Sequence, residues 1–187
     1  CSMDTGTGST TMGVAATMAA DRLRFAGLLE RHRGIVFKVA GTYCRHPEDR
    51  ADLAQEIATQ AWRAFAAYDQ ARPFATWLYR IALNVASSFV RSHALRQARF
   101  ETLDDAHDRA APSGNNTFED SERLRLLQRF MASLEPLNRA LLMLFLDERG
   151  YREIGEILGI SESNVATKIG RLKQRLRLQL APNGDTA

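Results

Sequence analysis

Residues 151–180, YREIGEILGISESNVATKIGRLKQRLRLQL, constrain the fold more than any other stretch of this chain. Apolar side chains recur with helical period on both sides of Gly159-Ile160-Ser161, so two short helices meet there at a tight turn. Ser161 stands where an N-cap belongs, which starts the second helix at Glu162. In that helix Val165, Ile169, Leu172 and Leu176 fall at i, i+4, i+7 and i+11, an inward stripe that packs on Ile154, Ile157 and Leu158. The opposite face presents Asn164, Thr167, Lys168 and Arg171, with Ser163 beside them. From Ser163 to Leu180 there is no acidic residue, while Lys168, Arg171, Lys173, Arg175 and Arg177 supply five cations. A helix-turn-helix whose second helix is polar, basic and free of acids beyond its first residue fits a DNA major groove. Asn and Thr read base edges there, and Lys and Arg take guanine or phosphate. A solvated basic helix in a bundle is the plainer reading of the same residues.

Upstream, helical period dominates from Asp21 onward with no alternating strand pattern. Leu23, Leu28, Leu29, Ile35, Val36 and Val39 line an opening helical pair. His46-Pro47 breaks that run and starts the next helix, Pro47 being suited to a first turn. Leu53, Ile57, Ala61, Trp62 and Phe65 form its buried stripe as far as Ala67. A loop at Tyr68–Pro73 precedes a long helix from Phe74 to about Leu95, with Trp77, Leu78, Ile81, Val85 and Phe89 on one face. Helices resume near Ser121 with Leu124, Leu127, Phe130, Met131 and Leu134 on a buried face. An apolar helix at Leu137–Leu146 follows, ended by Gly150. Between the two blocks, residues 101–120 are acidic, with Pro-Ser-Gly-Asn-Asn at their centre. The expectation is an all-α chain. Residues 1–20 form a disordered tail, 21–100 a first helical domain, 101–120 a flexible acidic linker, and 121–181 a second domain with the helix-turn-helix.

The net charge of +3 hides a division. Residues 21–100 hold thirteen basic against seven acidic side chains, 101–122 one against seven, and 123–187 eleven against seven. Two basic blocks flanking an acidic strap favour a polyanionic partner. Cys1 and Cys44 are the only cysteines, and His32, His46, His93 and His107 are scattered and read as surface residues. A disulfide framework and a zinc site are excluded on spacing, and a reducing cytoplasm fits. No apolar run reaches the ~20 residues that cross a bilayer, so no membrane insertion is expected. No paired acid and base, triad or metal set is visible, which predicts no enzyme, no cofactor and no metal.

Two patches in the first block carry further chemistry. Asp52, Gln55 and Glu56 at i, i+3 and i+4 share one polar helix face, with Leu53 pointing inward. Inside a basic block such a face is not aimed at DNA; it suits a basic protein surface, or is plain solvent-exposed helix. Arg80, Asn84 and Arg91 lie beside aromatics and are placed to clamp unpaired bases, stacking being worth ~1–3 kcal/mol per base. Trp77 itself reads as core.

In order and spacing these segments resemble the extracytoplasmic-function, or group 4, sigma factors of the sigma-70 family. DLAQEIATQAWRAF followed by PFATWLYRIALNVASSFVR is similar to sigma region 2, and Leu134-Glu135-Pro136-Leu137 followed by EIGEILGISESNVATKIGRLKQRL is similar to region 4. The resemblance implies an alternative sigma factor that directs core RNA polymerase to promoters. It implies that Asp52, Gln55 and Glu56 dock on the polymerase's β′ clamp helices. The Ala66–Pro73 loop, with Tyr68, Asp69 and Arg72, would hold a base flipped from the −10 element, and Arg80, Asn84 and Arg91 would steady the opened strand. Ser163, Asn164, Thr167, Lys168 and Arg171, with Lys173 and Arg175, would meet the −35 duplex. Further implied partners are the β flap and an anti-sigma factor, and the implied location is the cytoplasmic nucleoid. No fused module is expected after Ala187. Two positions depart from the family pattern: Ala166 removes a cation common in the recognition helix, and Ser88 replaces a common Asp. A stand-alone helix-turn-helix regulator is the alternative, but it has no need of the Asp-Leu-x-Gln-Glu face.

Overall fold

Pro47 sets the frame of the first half. Its predecessor His46 is extended, and Pro47 takes the first helical position with Glu48 and Asp49 in the first turn, where a helix favours negative charge. The computed structural model of the chain describes residues 8–100 and 118–180. Over that span it is all-α, with α1 at Gly8–Arg31, α2 at Arg33–Tyr43, α3 at Pro47–Ala64, α4 at Phe74–Phe100, α5 at Phe118–Ser133, α6 at Pro136–Leu146, α7 at Tyr151–Leu158 and α8 at Glu162–Leu180. A 3-10 turn, Phe65–Ala67, closes α3. The expected linker lies mostly outside the described residues. Helix α1 begins at Gly8, inside the stretch 1–20 that reads as a disordered tail.

Helices α2, α3 and α4 pack around Val39, Leu53, Ile57, Ala61, Leu78 and Ala82, all fully buried. The periodic stripe places all of these but Ala82; on α4 it is rotated, because Trp77, Ile81, Val85 and Phe89 are only half-buried while Tyr79, Ala82 and Ala86 are fully buried beside Leu78. Trp62 follows Ala61 by one residue, about 100° around the helix, and stays 37% exposed. Its ring leans on Phe25 with centroids 5.3 Å apart. Leu23, read as core, is 77% exposed because α1 enters the bundle through Phe25. His32, read as a surface residue, is half-buried: its Nδ1 lies 2.9 Å from the Leu28 carbonyl, and its ring rests 5.2 Å from that of Phe74. The second half is built on α6, where Leu141 and Leu144 are fully buried with Ile154, Val165 and Ile169 around them. Phe130 of α5 closes this core, while Leu124, at 39% exposure, does not join it.

Gly150 does not end α6. The chain turns at Glu148, which takes a left-handed φ of 58°. Arg149 N–H reaches back to the Leu144 carbonyl at 3.1 Å, the six-to-one bond of a Schellman cap. A β-carbon in this conformation costs about 1–2 kcal/mol. Glu148→Gly, discounted for its looser unfolded chain, is therefore expected to stabilise by about 0.5–1 kcal/mol, or a rise of about 1–4 °C in Tm. Thermal unfolding followed by circular dichroism checks it.

The two halves are in contact. Their buried residues form one continuous apolar cluster, and α7 packs on α4. Polar bonds cross the joint: Tyr43 Oη donates to the Pro136 carbonyl at 2.9 Å and Thr76 Oγ1 to Glu153 Oε1 at 3.1 Å. Burial pushes the Tyr43 phenol up to about 12 against the opposing pull of Arg139, so the hydroxyl keeps its proton for that bond.

Candidate nucleic-acid interface

The α7–α8 turn is fixed by three backbone devices. Gly159 sits at a φ of 70°, a conformation an L side chain resists. Its N–H and that of Ile160 both return to the Gly155 carbonyl, at 2.8 and 3.1 Å. Ser161 caps α8 as expected, with its Oγ accepting the Asn164 N–H at 3.3 Å. Val165 and Ile169 are fully buried and Leu172 nearly so, which commits the other face of α8 to solvent.

That outer face holds Ser163, Asn164, Thr167 and Arg171 exposed and Lys168 half-exposed. The Thr167 hydroxyl bonds its own helix at the Ser163 carbonyl, 2.9 Å away. Arg175 is exposed, its guanidinium 5.9 Å from the Phe130 ring centre. Lys173 is a different case. It lies half a turn around the helix from Asn164, and its ammonium sits 4.2 Å from the centre of the Phe145 ring. Counted from the sequence as a DNA contact, it is turned instead onto the α6 side, where it covers an aromatic face. Replacing Lys168 and Arg171 together by alanine is expected to lower the slope of log K against log salt by about 1.8, two phosphate contacts at about 0.9 each. Fluorescence anisotropy on a duplex at several salt concentrations measures this, and an unchanged slope removes both residues from the interface.

The second surface lies in the first half. Asp52, Gln55 and Glu56 are exposed on α3 and line a shallow groove whose other wall, on α4, carries Asn84 and Ser88. Gln60 Nε2 donates to Glu56 Oε1 at 2.8 Å, holding that carboxylate along the helix. Arg80, Asn84 and Arg91 are all exposed and follow one stripe of α4. Arg91 is tethered at its base, with Nε 3.2 Å from the Ser87 carbonyl and a second nitrogen 3.4 Å from Ser88 Oγ. The structure thus brings Asn84 beside the acidic patch. In that loop Asp69 accepts the Ala71 N–H at 2.9 Å, and Tyr68 Oη donates to the Arg72 carbonyl at 2.6 Å. The Tyr68 ring is packed 4.9 Å from Trp77 and 5.9 Å from Phe65, so it anchors the loop from below. Asp69 and Arg72 remain exposed at its tip.

Among the described residues no cluster of His, Cys, Asp or Glu is arranged to hold a metal ion, and no helix is long and apolar enough to cross a membrane. Burial raises the Cys44 thiol to about 11, which leaves it a poor nucleophile.

Comparison with known proteins gives these two surfaces a common frame. The Sigma-70 region 2 family matches residues 28–96, which span α2, α3 and most of α4, and the Sigma-70 region 4 family matches residues 124–176, which include α6, α7 and most of α8. The chain belongs to the sigma-70 family, in its extracytoplasmic-function branch. It is 31% identical to the ECF RNA polymerase sigma factor SigE of Mycolicibacterium smegmatis over 84% of this chain and 62% of that protein, so it spans less than two thirds of this relative. It is 27% identical to the ECF RNA polymerase sigma-E factor of Haemophilus influenzae over 90% of this chain and 94% of that one. Its fold matches the sigma factor RpoE of Bartonella quintana, solved with the anti-sigma factor NepR. There the TM-score is 0.68 at 15% identity, covering 86% of this chain and 99% of the other. The acidic face of α3 therefore lies in sigma region 2, and the outer face of α8 in region 4.

Proposed function

We propose that the chain is an alternative sigma factor that binds core RNA polymerase and confers promoter-specific initiation. One observation carries the reading. A single chain presents an exposed acidic face within region 2 and, within region 4, an exposed face of α8 that is free of acids from Ser163 onward. Asp52, Gln55 and Glu56 dock on the basic surface of the β′ clamp helices, while the region 4 half sits on the β flap and reads the −35 duplex through Asn164, Thr167, Lys168 and Arg171. Asp69 and Arg72 at the loop tip, with Arg80, Asn84 and Arg91 along α4, hold the opened −10 strand. Unstacking a base costs a few kcal/mol, which such contacts offset. The polymerase supplies the chemistry and this chain none, so it is not an enzyme, and it works in the cytoplasm. An anti-sigma partner fits the same reading, since the Bartonella factor of this fold was solved with one.

Run-off transcription with bacterial core polymerase on a promoter library, with and without the protein, tests the proposal. A defined set of start sites that appears only with the chain supports it. An unchanged start-site distribution sinks it. A regulator that binds duplex alone would give the second result while still shifting DNA in a gel.

A further inference from the structure

Thr167 stands at the centre of the outer face of α8. At about 100° per residue it lies nearly opposite the buried stripe of Val165, Ile169 and Leu172. The residue is exposed, yet its hydroxyl is not free to donate to a base edge. Oγ1 donates to the Ser163 carbonyl at 2.9 Å, one turn back along the same helix. A hydroxyl has a single proton to give, and this one is committed inside the protein. It therefore offers nothing to the N7 and O6 of guanine or the O4 of thymine, all of which need a donor. What remains of the side chain is its methyl group and the lone pairs of the oxygen.

The next turn leaves that methyl group uncovered. Position 170, three residues on and on the same side of the helix, is a glycine, and nothing lies within 4 Å of where a β-carbon would stand. Glycine inside a helix is destabilising relative to alanine. The fold does not require it here: the left-handed glycine among the described residues is Gly159, and no neighbour crowds position 170. An open step beside a bare methyl group, on a face that also carries Asn164, Lys168 and Arg171, leaves room for an apolar group of the duplex. The major groove displays one such group, the C5-methyl of thymine.

We infer that Thr167 is a specificity-determining residue of the α8 face and reads thymine by contact between the two methyl groups, with hydrogen-bond readout left to Asn164, Lys168 and Arg171. This deepens the reading of α8 as the duplex-binding helix and rests on it; it is independent of whether the duplex belongs to a promoter. The contact discriminates a T·A pair from a C·G pair at the same place, because cytosine has no methyl group at C5.

The test starts from the tightest duplex that the full chain recovers from a randomised library. Each thymine is replaced in turn by deoxyuridine, which pairs alike and lacks only the methyl group, and affinity is read by fluorescence anisotropy. One thymine is expected to respond, with a loss of about fourfold, the effect of one buried methyl group. Thr167→Ser removes the methyl group and keeps the hydroxyl. It is expected to bind the thymine duplex about fourfold more weakly and to lose nothing further on the deoxyuridine duplex. Thr167→Val keeps a methyl group and removes the hydroxyl, and is expected to stay sensitive to deoxyuridine. Serine, valine and threonine have similar helix propensities and the position is exposed, so both variants fold as wild type does. The reverse pattern, with Thr167→Val losing affinity and Thr167→Ser behaving as wild type, makes the hydroxyl oxygen the reader and overturns the inference. So does a duplex in which no thymine responds, or a library from which no preferred sequence emerges. A chain that recovers a sequence but directs no initiation with core polymerase loses the sigma-factor reading and keeps this one.

Discussion

Gly155→Ala is expected to loosen the helix-turn-helix and to cost at least about tenfold in duplex binding, a 1.4 kcal/mol effect. A β-carbon built at Gly155 falls 2.7 Å from the Ile160 carbonyl oxygen and 3.6 Å from the Glu162 nitrogen. Both neighbours are backbone, so no side chain can swing aside. The turn cannot yield cheaply either, because the N–H groups of Gly159 and Ile160 are bonded to the carbonyl of Gly155 itself. Relief must come from moving α8 away from α7, which loosens the buried contacts of Ile154 with Val165 and Ile169. Overpacking of this sort costs about 1–3 kcal/mol, and it tilts the face that carries Asn164 and Thr167. Gly170→Ala is the control. Nothing lies within 4 Å of a β-carbon at that position, and alanine inside a helix gains about 0.8–1 kcal/mol over glycine. Thermal unfolding should rank Gly170→Ala above wild type and wild type above Gly155→Ala. A Gly155→Ala protein that melts with wild type refutes the close-approach argument.

What a sequence carries locally was readable here. The i, i+4, i+7 stripe of α8, the Ser161 cap, the Pro47 start and the buried Leu53 and Ile57 all follow from helical period and cap chemistry, which act within a turn or two. Side chains at the edges of stripes escaped. Residue type points Trp62 to the core and Lys173 to DNA, yet Trp62 is one residue off its stripe and Lys173 has an aromatic ring to cover. Polar contacts between distant segments escaped entirely. Asp147 pairs with Lys38 and Tyr79, 109 and 68 positions away, and an ion pair leaves no periodic trace. Glycine is the usual carrier of a left-handed φ, so the sequence points to Gly150 for the sharp turn that Glu148 makes. The acidic patch of α3 was visible as a helix face, but its α4 wall with Asn84 and Ser88 required two helices to be docked.

Reversing two charges on that patch is expected to weaken core polymerase binding by at least about tenfold, roughly 1.4 kcal/mol, while the fold holds. Asp52 and Glu56 are exposed and one helical turn apart, whereas Leu53 and Ile57 beside them are fully buried. Asp52→Lys with Glu56→Lys therefore alters only the outer face of α3. Lysine is a good helix former, and both positions lie beyond the first turn of α3, the part where the helix dipole penalises a cation. Stability should stay within about 0.5 kcal/mol per site. Against a basic partner the change is larger than a loss of attraction, because each reversal replaces an opposite charge with a like one. Such juxtapositions act chiefly on the association rate and on partner choice. Two readouts separate docking from a general change in charge. Binding to core polymerase should fall, and the gap from wild type should narrow as salt shortens the screening length from about 10 Å at 0.1 M to about 3 Å at 1 M. Binding to a −35-only duplex should hold or tighten slightly, since the double variant is more basic and the α8 face is untouched. If the double variant binds core polymerase as wild type does, the acidic face of α3 is ordinary solvent-exposed helix, and the docking surface lies elsewhere in region 2.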